Sequence, residues 1–344
     1  MKQKAVVICP GRGTYNASEL GYLKRYHASQ AELVGRFDSY RTGLEQETVS
    51  ALDGASKFSP SKHTSGDNAS PLIYACSYLD FLAIDRDRYD IVAVTGNSMG
   101  WYIALACAGA LDAMGGLKVV NTMGTLMQER LIGGQLVYPF TDANWKEIPG
   151  KREEITLKMA EINARVDHDL ALSIDLGGML VLAGNEAGLA AFEAEMSKVD
   201  SRFPMRLKNH AAFHTNLQEP VAVEGRSRLG AEMFAQPELP LIDGRGAIWW
   251  PHATDISALH NYTLGHQVTE TYDLAKAIST AAREFMPDLF IVTGPGTTLG
   301  GSVAHSLIRA NWHGWDGKDS FRKENAETKR LISMGDEDQR RFVE

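Results

Sequence analysis

Apolar and polar residues alternate along the chain in blocks that read as strands and helices in turn. Lys4 to Cys9 is a short apolar run rich in β-branched residues and ended by Pro10-Gly11-Arg12-Gly13, the pattern of a buried strand entering a glycine-rich turn. Residues 40–68 are polar and rich in Ser, Thr and Gly, which predicts a surface loop with at most a short helix. Pro71 to Ile84 is apolar over a helical length, with Pro71 suited to a first turn. Tyr89 to Thr95 predicts a second strand, and Trp101 to Ala110 a helix of small and apolar residues. Strand, sharp turn and helix in that order predict an α/β architecture with a parallel sheet.

The middle of the chain has another rhythm. Gly134 to Phe140, Leu170 to Asp175, Met179 to Gly184 and Arg202 to Leu207 predict strands, with helices at Lys151 to Val166 and Glu186 to Val199. The order βαββαβ is that of a ferredoxin-like unit, placed at 133–208. Further on, Asn216 to Phe234, Val268 to Phe285 and Gly300 to Arg309 read as helices and Asp288 to Thr293 as a strand. Residues 1–132 and 209–316 then form one core, and the charged stretch 317–344 is expected as a surface tail.

With 44% hydrophobic and 23% charged residues, the 344-residue chain can bury a full core. Its net charge of −8 argues against a binder of nucleic-acid phosphates. Cys9, Cys76 and Cys107 are too few and too scattered for a disulfide framework or structural zinc site. The start is too short for a signal peptide, and no apolar run reaches the ~18 residues a membrane helix needs. A cytoplasmic protein with no membrane contact is expected.

Gly96-Asn97-Ser98-Met99-Gly100 is a Gly-x-Ser-x-Gly motif between a predicted strand and helix. That context suits a nucleophile on a tight turn, with the following helix aiming N–H groups at a developing oxyanion. A serine nucleophile needs a base. Of ten histidines, His210 and His214 stand out in Asn209-His210-Ala211-Ala212-Phe213-His214, just past the inserted unit. Their spacing could serve a metal, but no glutamate or third ligand accompanies it, so none is expected. Gly294-Pro295-Gly296-Thr297-Thr298-Leu299-Gly300-Gly301 lacks the Gly-Lys-Ser/Thr of a P-loop, and Pro10-Gly11-Arg12-Gly13 lacks the dinucleotide fingerprint. Both read as backbone turns beside an active site.

Together these motifs resemble those of malonyl-CoA:acyl carrier protein transacylases and of polyketide synthase acyltransferase domains, in order over about residues 4–310. Cys9-Pro10-Gly11-Arg12-Gly13-Thr14 is similar to that family's Phe-Pro-Gly-Gln-Gly-Ser. Gly96-Asn97-Ser98-Met99-Gly100-Trp101-Tyr102 is similar to Gly-His-Ser-Leu-Gly-Glu-Tyr, continued by Ala104-Leu105 and Ala108-Gly109. Met123-Gly124-Thr125-Leu126-Met127-Gln128 stands where the family has Arg-Gly-x-x-Met-Gln; Phe213-His214, His266-Gln267-Val268 and Thr293-Gly294-Pro295-Gly296 complete the series.

The resemblance implies an α/β-hydrolase-like core with an inserted ferredoxin-like subdomain. It implies Ser98 as acylated nucleophile and His214 as base and later acid. Gln267 would offer His214 a neutral carbonyl, and the N–H groups of Arg12 and Met99 would form the oxyanion hole. It further implies a monomer with no bound cofactor, taking acyl-CoA and an acyl carrier protein as partners in fatty-acid or polyketide synthesis. Coenzyme A and phosphopantetheine would be the acyl carriers.

Three departures bear on substrate. Met123, 25 residues beyond Ser98, replaces the arginine that pairs with a malonyl carboxylate, so either the acyl group is neutral or another cation, Arg12 or Arg130, takes over. Asn97 and Trp101 replace a histidine and a glutamate; together with Met123 and Met99 they are expected at a less polar pocket mouth, a tilt toward a neutral or longer acyl chain, and Phe213 is a further substrate-binding candidate. Arg202, Arg206 and Lys208 are candidate contacts for an acidic carrier protein. An editing hydrolase of carrier-protein thioesters and a non-catalytic docking subunit are the alternatives. A conventional esterase would need an acid before the histidine, and Asp169 and Asp175 fall inside the insert.

Overall fold

A computed structural model describes residues 2–344. Its strands are β1 (Gln3–Cys9), β2 (Tyr89–Gly96), β3 (Gly134–Pro139), β4 (Leu170–Asp175), β5 (Met179–Gly184), β6 (Met205–Leu207), β7 (Leu241–Ile242), β8 (Ile248–Trp249), β9 (Tyr272–Asp273), β10 (Leu289–Val292) and β11 (Leu331–Ser333). The helices that matter for the site are α1 (Gly66–Ala83), α2 (Gly100–Cys107), α3 (Ala113–Arg130), α4 (Lys151–Asn163), α5 (Glu186–Glu195), α6 (Leu274–Glu284) and α7 (Thr298–Arg309).

The main sheet has the order β11-β10-β1-β2-β7-β8, parallel except for the last pair. Strand β1 lies at its centre, and Ala5 through Cys9 are fully buried, as expected for a run apolar on both faces. Ile8 pairs with Thr95 on one side and Val292 on the other, so three adjacent parallel strands end together. Their following turns, 10–14, 96–100 and 294–298, therefore emerge side by side at the carboxyl edge, where open α/β sheets place their sites. Helix α2 packs behind β1 and β2 with all eight residues buried, which its small and apolar composition allows.

The second sheet has the order β6-β3-β5-β4-β9, with β3, β5, β4 and β6 antiparallel to their neighbours and β9 added parallel to β4. The chain runs β3-α4-β4-β5-α5-β6 through it. One face is covered by α4 and α5, where Tyr138 meets Phe192 edge-on. The alternate residues, Gln135 and Val137 among them, face the carboxyl edge of the main sheet and line the cavity there. Because β9 comes from 272–273, this sheet extends beyond the 133–208 boundaries expected from the hydrophobic pattern.

Several expectations are corrected. The 317–344 stretch is not a surface tail: β11 pairs with β10 in the main sheet, and Met334, Arg340 and Val343 are buried. Arg340 donates to Asp80 at 2.6 Å and to the Tyr22 hydroxyl at 2.8 Å, and Asp80 also accepts from Gly294 N–H at 2.6 Å. The charges that make the stretch look solvated are partly spent on that buried network. The polar 40–68 stretch is likewise no simple loop. It holds helical turns and buries Arg41, Asp53 and His63, each bonded to neighbours: Arg41 to Glu47 O and Asn68, Asp53 to the Tyr15 hydroxyl, His63 to Leu52 O. Polarity alone predicts exposure here, but these hydrogen bonds are satisfied inside. Helix α1 also starts earlier than the apolar run predicts, at Gly66, leaving Pro71 within it. Similarly, Val268–Phe285 is broken by β9, and Asn216–Phe234 ends as a helix at Arg228. No described helix is long and apolar enough to cross a membrane.

Candidate active site

Ser98 sits between β2 and α2 with φ of 56°, in the left-handed region that L-residues avoid. The turn is so tight that a Cβ on Gly96 would lie 2.1 Å from the Gly100 carbonyl oxygen, and one on Gly100 would lie 2.2 Å from that of Cys9. This is the physical content of the two motif glycines. Gly100 N–H donates to Asn97 O at 2.8 Å and Trp101 N–H to Ser98 O at 2.9 Å, closing the turn.

His214 Nε2 lies 2.7 Å from Ser98 Oγ, and its Nδ1 lies 2.6 Å from the backbone carbonyl of Gln267. A carbonyl can only accept, so Nδ1 carries the proton and the Nε2 lone pair faces the serine hydroxyl. The ring is 1% exposed, and burial pushes its pKa down to about 4, opposed by the bond to the Gln267 carbonyl. Gln267 follows a π-helical turn, Tyr262–His266, in a helix that ends at Thr269; its carbonyl is thus among those a helix end leaves free. Its side chain reaches the other way, donating from Nε2 to Ser98 O at 3.0 Å and accepting from the Tyr102 hydroxyl at 3.0 Å. Gln267 therefore braces histidine and serine turn together.

Neither acid inside the insert takes part. Asp175 is paired with Arg152 and Arg309, and Asp169 is not a partner of His214. His210 turns Nδ1 to Gln135 Oε1 at 3.0 Å rather than towards His214's partners; burial, then the nearby Arg12 charge, lowers its pKa to about 3. Among the described residues no three metal-ligating side chains converge.

Ser98 opens into a cavity of about 460 Å³ between the two sheets. Arg12, Met99, Asn97, Met123, Phe213 and Gln267 all line it. The N–H groups of Arg12 and Met99 take part in no hydrogen bond among the described residues, so they remain free to donate beside Ser98. Trp101 is a correction. It is fully buried away from the cavity, donating to Thr263 Oγ1 at 3.0 Å and meeting Tyr262 edge-on; its apolar bulk fills the core behind the π-helical turn. Residues that the sequence motifs do not single out form the opposite wall, where Ile174, Met179, Val181 and Leu207 project from the second sheet. The two-residue period of a strand puts Met179 and Val181 on one face, but β5 is apolar at both faces, so its sequence does not say which one meets the cavity. Thr298 and Leu299, within the Gly294–Gly301 segment where α7 begins, close one side.

Of the basic trio, Arg202 is exposed at the cavity rim over the Phe203 ring and Lys208 is exposed. Arg206 is not free: it pairs with Glu186 and Glu193 at 3.0 and 2.8 Å.

No family model matches the chain. It is 22% identical over 308 residues, 87% of its length, to a phenolphthiocerol/phthiocerol polyketide synthase polypeptide of Mycobacterium tuberculosis. It is 24% identical over 212 residues, 60% of its length, to the malonyl CoA-acyl carrier protein transacylase of Salmonella typhimurium. The chain spans only 19% of the first and 63% of the second. The crystal structure of the malonyl-CoA:ACP transacylase of Synechocystis sp. PCC 6803 superposes with a TM-score of 0.73 at 17% identity, each chain covered completely. With its serine turn, its second sheet and these relatives taken together, the chain has the fold of malonyl-CoA:acyl carrier protein transacylases and resembles that family and the related polyketide synthase proteins over most of its length.

Proposed function

We propose that the protein is an acyltransferase that moves an acyl group from coenzyme A to the phosphopantetheine thiol of an acyl carrier protein through an acyl-Ser98 intermediate. The observation that carries this reading is the unbroken relay from Ser98 Oγ through His214 to the Gln267 carbonyl beside a largely apolar cavity. His214, neutral at pH 7 because of its burial, takes the Ser98 proton as Oγ attacks the thioester carbonyl carbon. The oxyanion so formed accepts from the N–H groups of Arg12 and Met99. Collapse breaks the carbon–sulfur bond, and the imidazolium returns its proton to the departing CoA thiolate. The carrier thiol then repeats the sequence in reverse, giving its proton to His214 and attacking the acyl ester. Exposed Arg202 and Lys208 near the rim suit an acidic carrier. The core carries the chemistry in this reading, and the second sheet acts as a subdomain that shapes the acyl cavity.

The test is intact-mass measurement after incubation with malonyl-, acetyl- and longer acyl-CoAs, with and without a holo carrier protein, using Ser98→Ala as control. The expected result is one acyl adduct, absent from Ser98→Ala and discharged onto the carrier. Discharge to free acid without carrier would make the protein an editing hydrolase. No adduct and no CoA release with any donor would leave the docking-subunit reading.

A further inference from the structure

Among the described residues, Nδ1 of His214 bonds only to the Gln267 carbonyl. A neutral carbonyl holds an imidazole less firmly than a carboxylate does, because the bond lacks the help of a charge. The plane of the ring therefore depends on what packs against it. His214 itself lies in the loop after β6 with φ of 63°, in the left-handed region. Two aromatic rings flank it: half-buried Phe213, its centroid 6.2 Å away, and Tyr272, 5.5 Å away and 1% exposed. Tyr272 belongs to none of the sequence motifs. Its hydroxyl donates to the carbonyl of Gly96, the last residue of β2 and two before Ser98. Burial raises this phenol well above its ordinary pKa, so it stays a donor at any working pH. The ring is wedged against Gly244, where a Cβ would come within 2.5 Å of it. Its backbone belongs to the other sheet: in β9, Tyr272 stands opposite Ile174 of β4, which lines the cavity. Thr271 ties the same two strands with a bond from Oγ1 to Leu172 O at 2.7 Å.

The serine turn closes on itself, but its own bonds do not fix its distance from His214, which comes from a segment 116 residues away. Two side-chain bonds cross from the Gln267–Tyr272 segment to the backbone of that turn. One runs from Gln267 Nε2 to Ser98 O, at the nucleophile, and the other from Tyr272 to Gly96 O, before it. We propose that Tyr272 is a positioning residue for Ser98 and His214, its hydroxyl pinning the Gly96 end of the serine turn and its ring setting the plane of the imidazole. It touches no reacting atom and moves no proton, since its own proton is held by Gly96 O. Because β9 is a strand of the second sheet, Tyr272 moves with the wall of the cavity, and the pair is aligned only when the two sheets are. Loss of Tyr272 therefore slows chemistry rather than weakening binding. The proposal rests on the reading of Ser98 and His214 as a nucleophile and its base.

The test is the rate at which a fluorophosphonate labels Ser98, read by intact mass. This reagent needs an activated serine hydroxyl but no coenzyme A. Beside it, the saturating rate of CoA release and the half-saturating acyl-CoA concentration are measured, with rates referred to folded protein from urea denaturation of each variant. Tyr272→Phe removes only the hydroxyl and should slow labelling and CoA release by about tenfold, with the half-saturating concentration unchanged. Tyr272→Leu also removes the flat ring and should slow both by about a hundredfold. A role in folding alone would lower the denaturation midpoint and leave the rates of folded molecules equal, which would overturn the proposal. So would Tyr272→Leu labelling no slower than Tyr272→Phe. Should Tyr272→Leu fail to fold, Tyr272→Phe decides alone. If the wild type is labelled but releases CoA from no donor, the acyltransferase reading has failed and the labelling rates still decide the role of Tyr272. A wild-type Ser98 inert to the reagent would overturn the proposal, because no activated pair would be there to position.

Discussion

Around Ser98 the chain is held by its own backbone: the carbonyls of Gly100 and Cys9 stand so close to Gly96 and Gly100 respectively that neither motif glycine can take a methyl group. The wall of the cavity is made of side chains instead, and of soft ones, with Met123 and Met127 on α3 and Met179 on β5. The first region admits one geometry, because backbone atoms cannot yield without moving whole strands. The second can repack, since unbranched thioethers have three rotatable bonds and fill irregular gaps. In the proposed reaction this difference divides the labour: the geometry at Ser98 would be rigid and local, whereas substrate fit would be adaptable and spread over both sheets.

Removing the His214 imidazole should have the largest effect. His214→Ala is expected to slow Ser98 acylation by about a thousandfold or more, measured by stopped-flow release of CoA. A mere tenfold loss would mean that another base serves Ser98. Gly100→Ala comes next, since its Cβ would meet the Cys9 carbonyl at 2.2 Å; chemical denaturation should show a loss of about 3 kcal/mol. Stability within experimental error of the wild type would show the serine turn to be less rigid than described.

Acid acts on the same rigid region. The unfolded chain protonates His214 near pH 6.5, but the folded chain not until about 4, so acid favours unfolding. Stability is complete above pH 6.5 and falls as pH drops toward 4, by up to about 3 kcal/mol from this residue. His214→Gln should flatten that part of the urea-midpoint profile, and an unchanged slope would place the acid sensitivity elsewhere. In the proposed mechanism neutral His214 is the base, so the acid limb of kcat/KM should likewise lie near 4 rather than 6.5.

The remaining predictions are smaller. Gln267→Ala keeps the backbone carbonyl but drops the bonds to Ser98 O and the Tyr102 hydroxyl, and should cost about tenfold in acylation rate. An unaltered rate would limit Gln267 to its carbonyl. Met179→Leu, on the soft wall, should change stability by about 1 kcal/mol or less while shifting the preference among acyl-CoAs. A loss as large as that of Gly100→Ala would erase the contrast between the two regions.

Much of this layout is legible in the chain itself. The serine turn needs only contiguous residues, because a strand, a glycine-flanked bend and a helix specify each other within a dozen positions. β4 and β5 are also readable to the residue, since their apolar runs are bracketed by Asp169 and by the Gly177-Gly178 turn. Trp101 is misplaced by its motif, whose other members face the site, whereas its own ring turns into the core to meet Thr263, 162 residues away. Polarity misleads at Arg41 and Arg340, whose partners lie in other elements.

By itself, then, the sequence determined strands β1 to β6 and β10, the serine turn and the order of motifs, all of which depend on neighbours along the chain. Only the tertiary structure decided that it is the backbone carbonyl of Gln267 that meets His214 Nδ1, that the second sheet supplies one wall of the cavity, and that Arg12 has no carboxylate ion-pair partner among the described residues. Those features depend on distances between segments far apart in the chain. Such distances are set by how strand ends align and helices pack, and a one-dimensional pattern carries no measure of them.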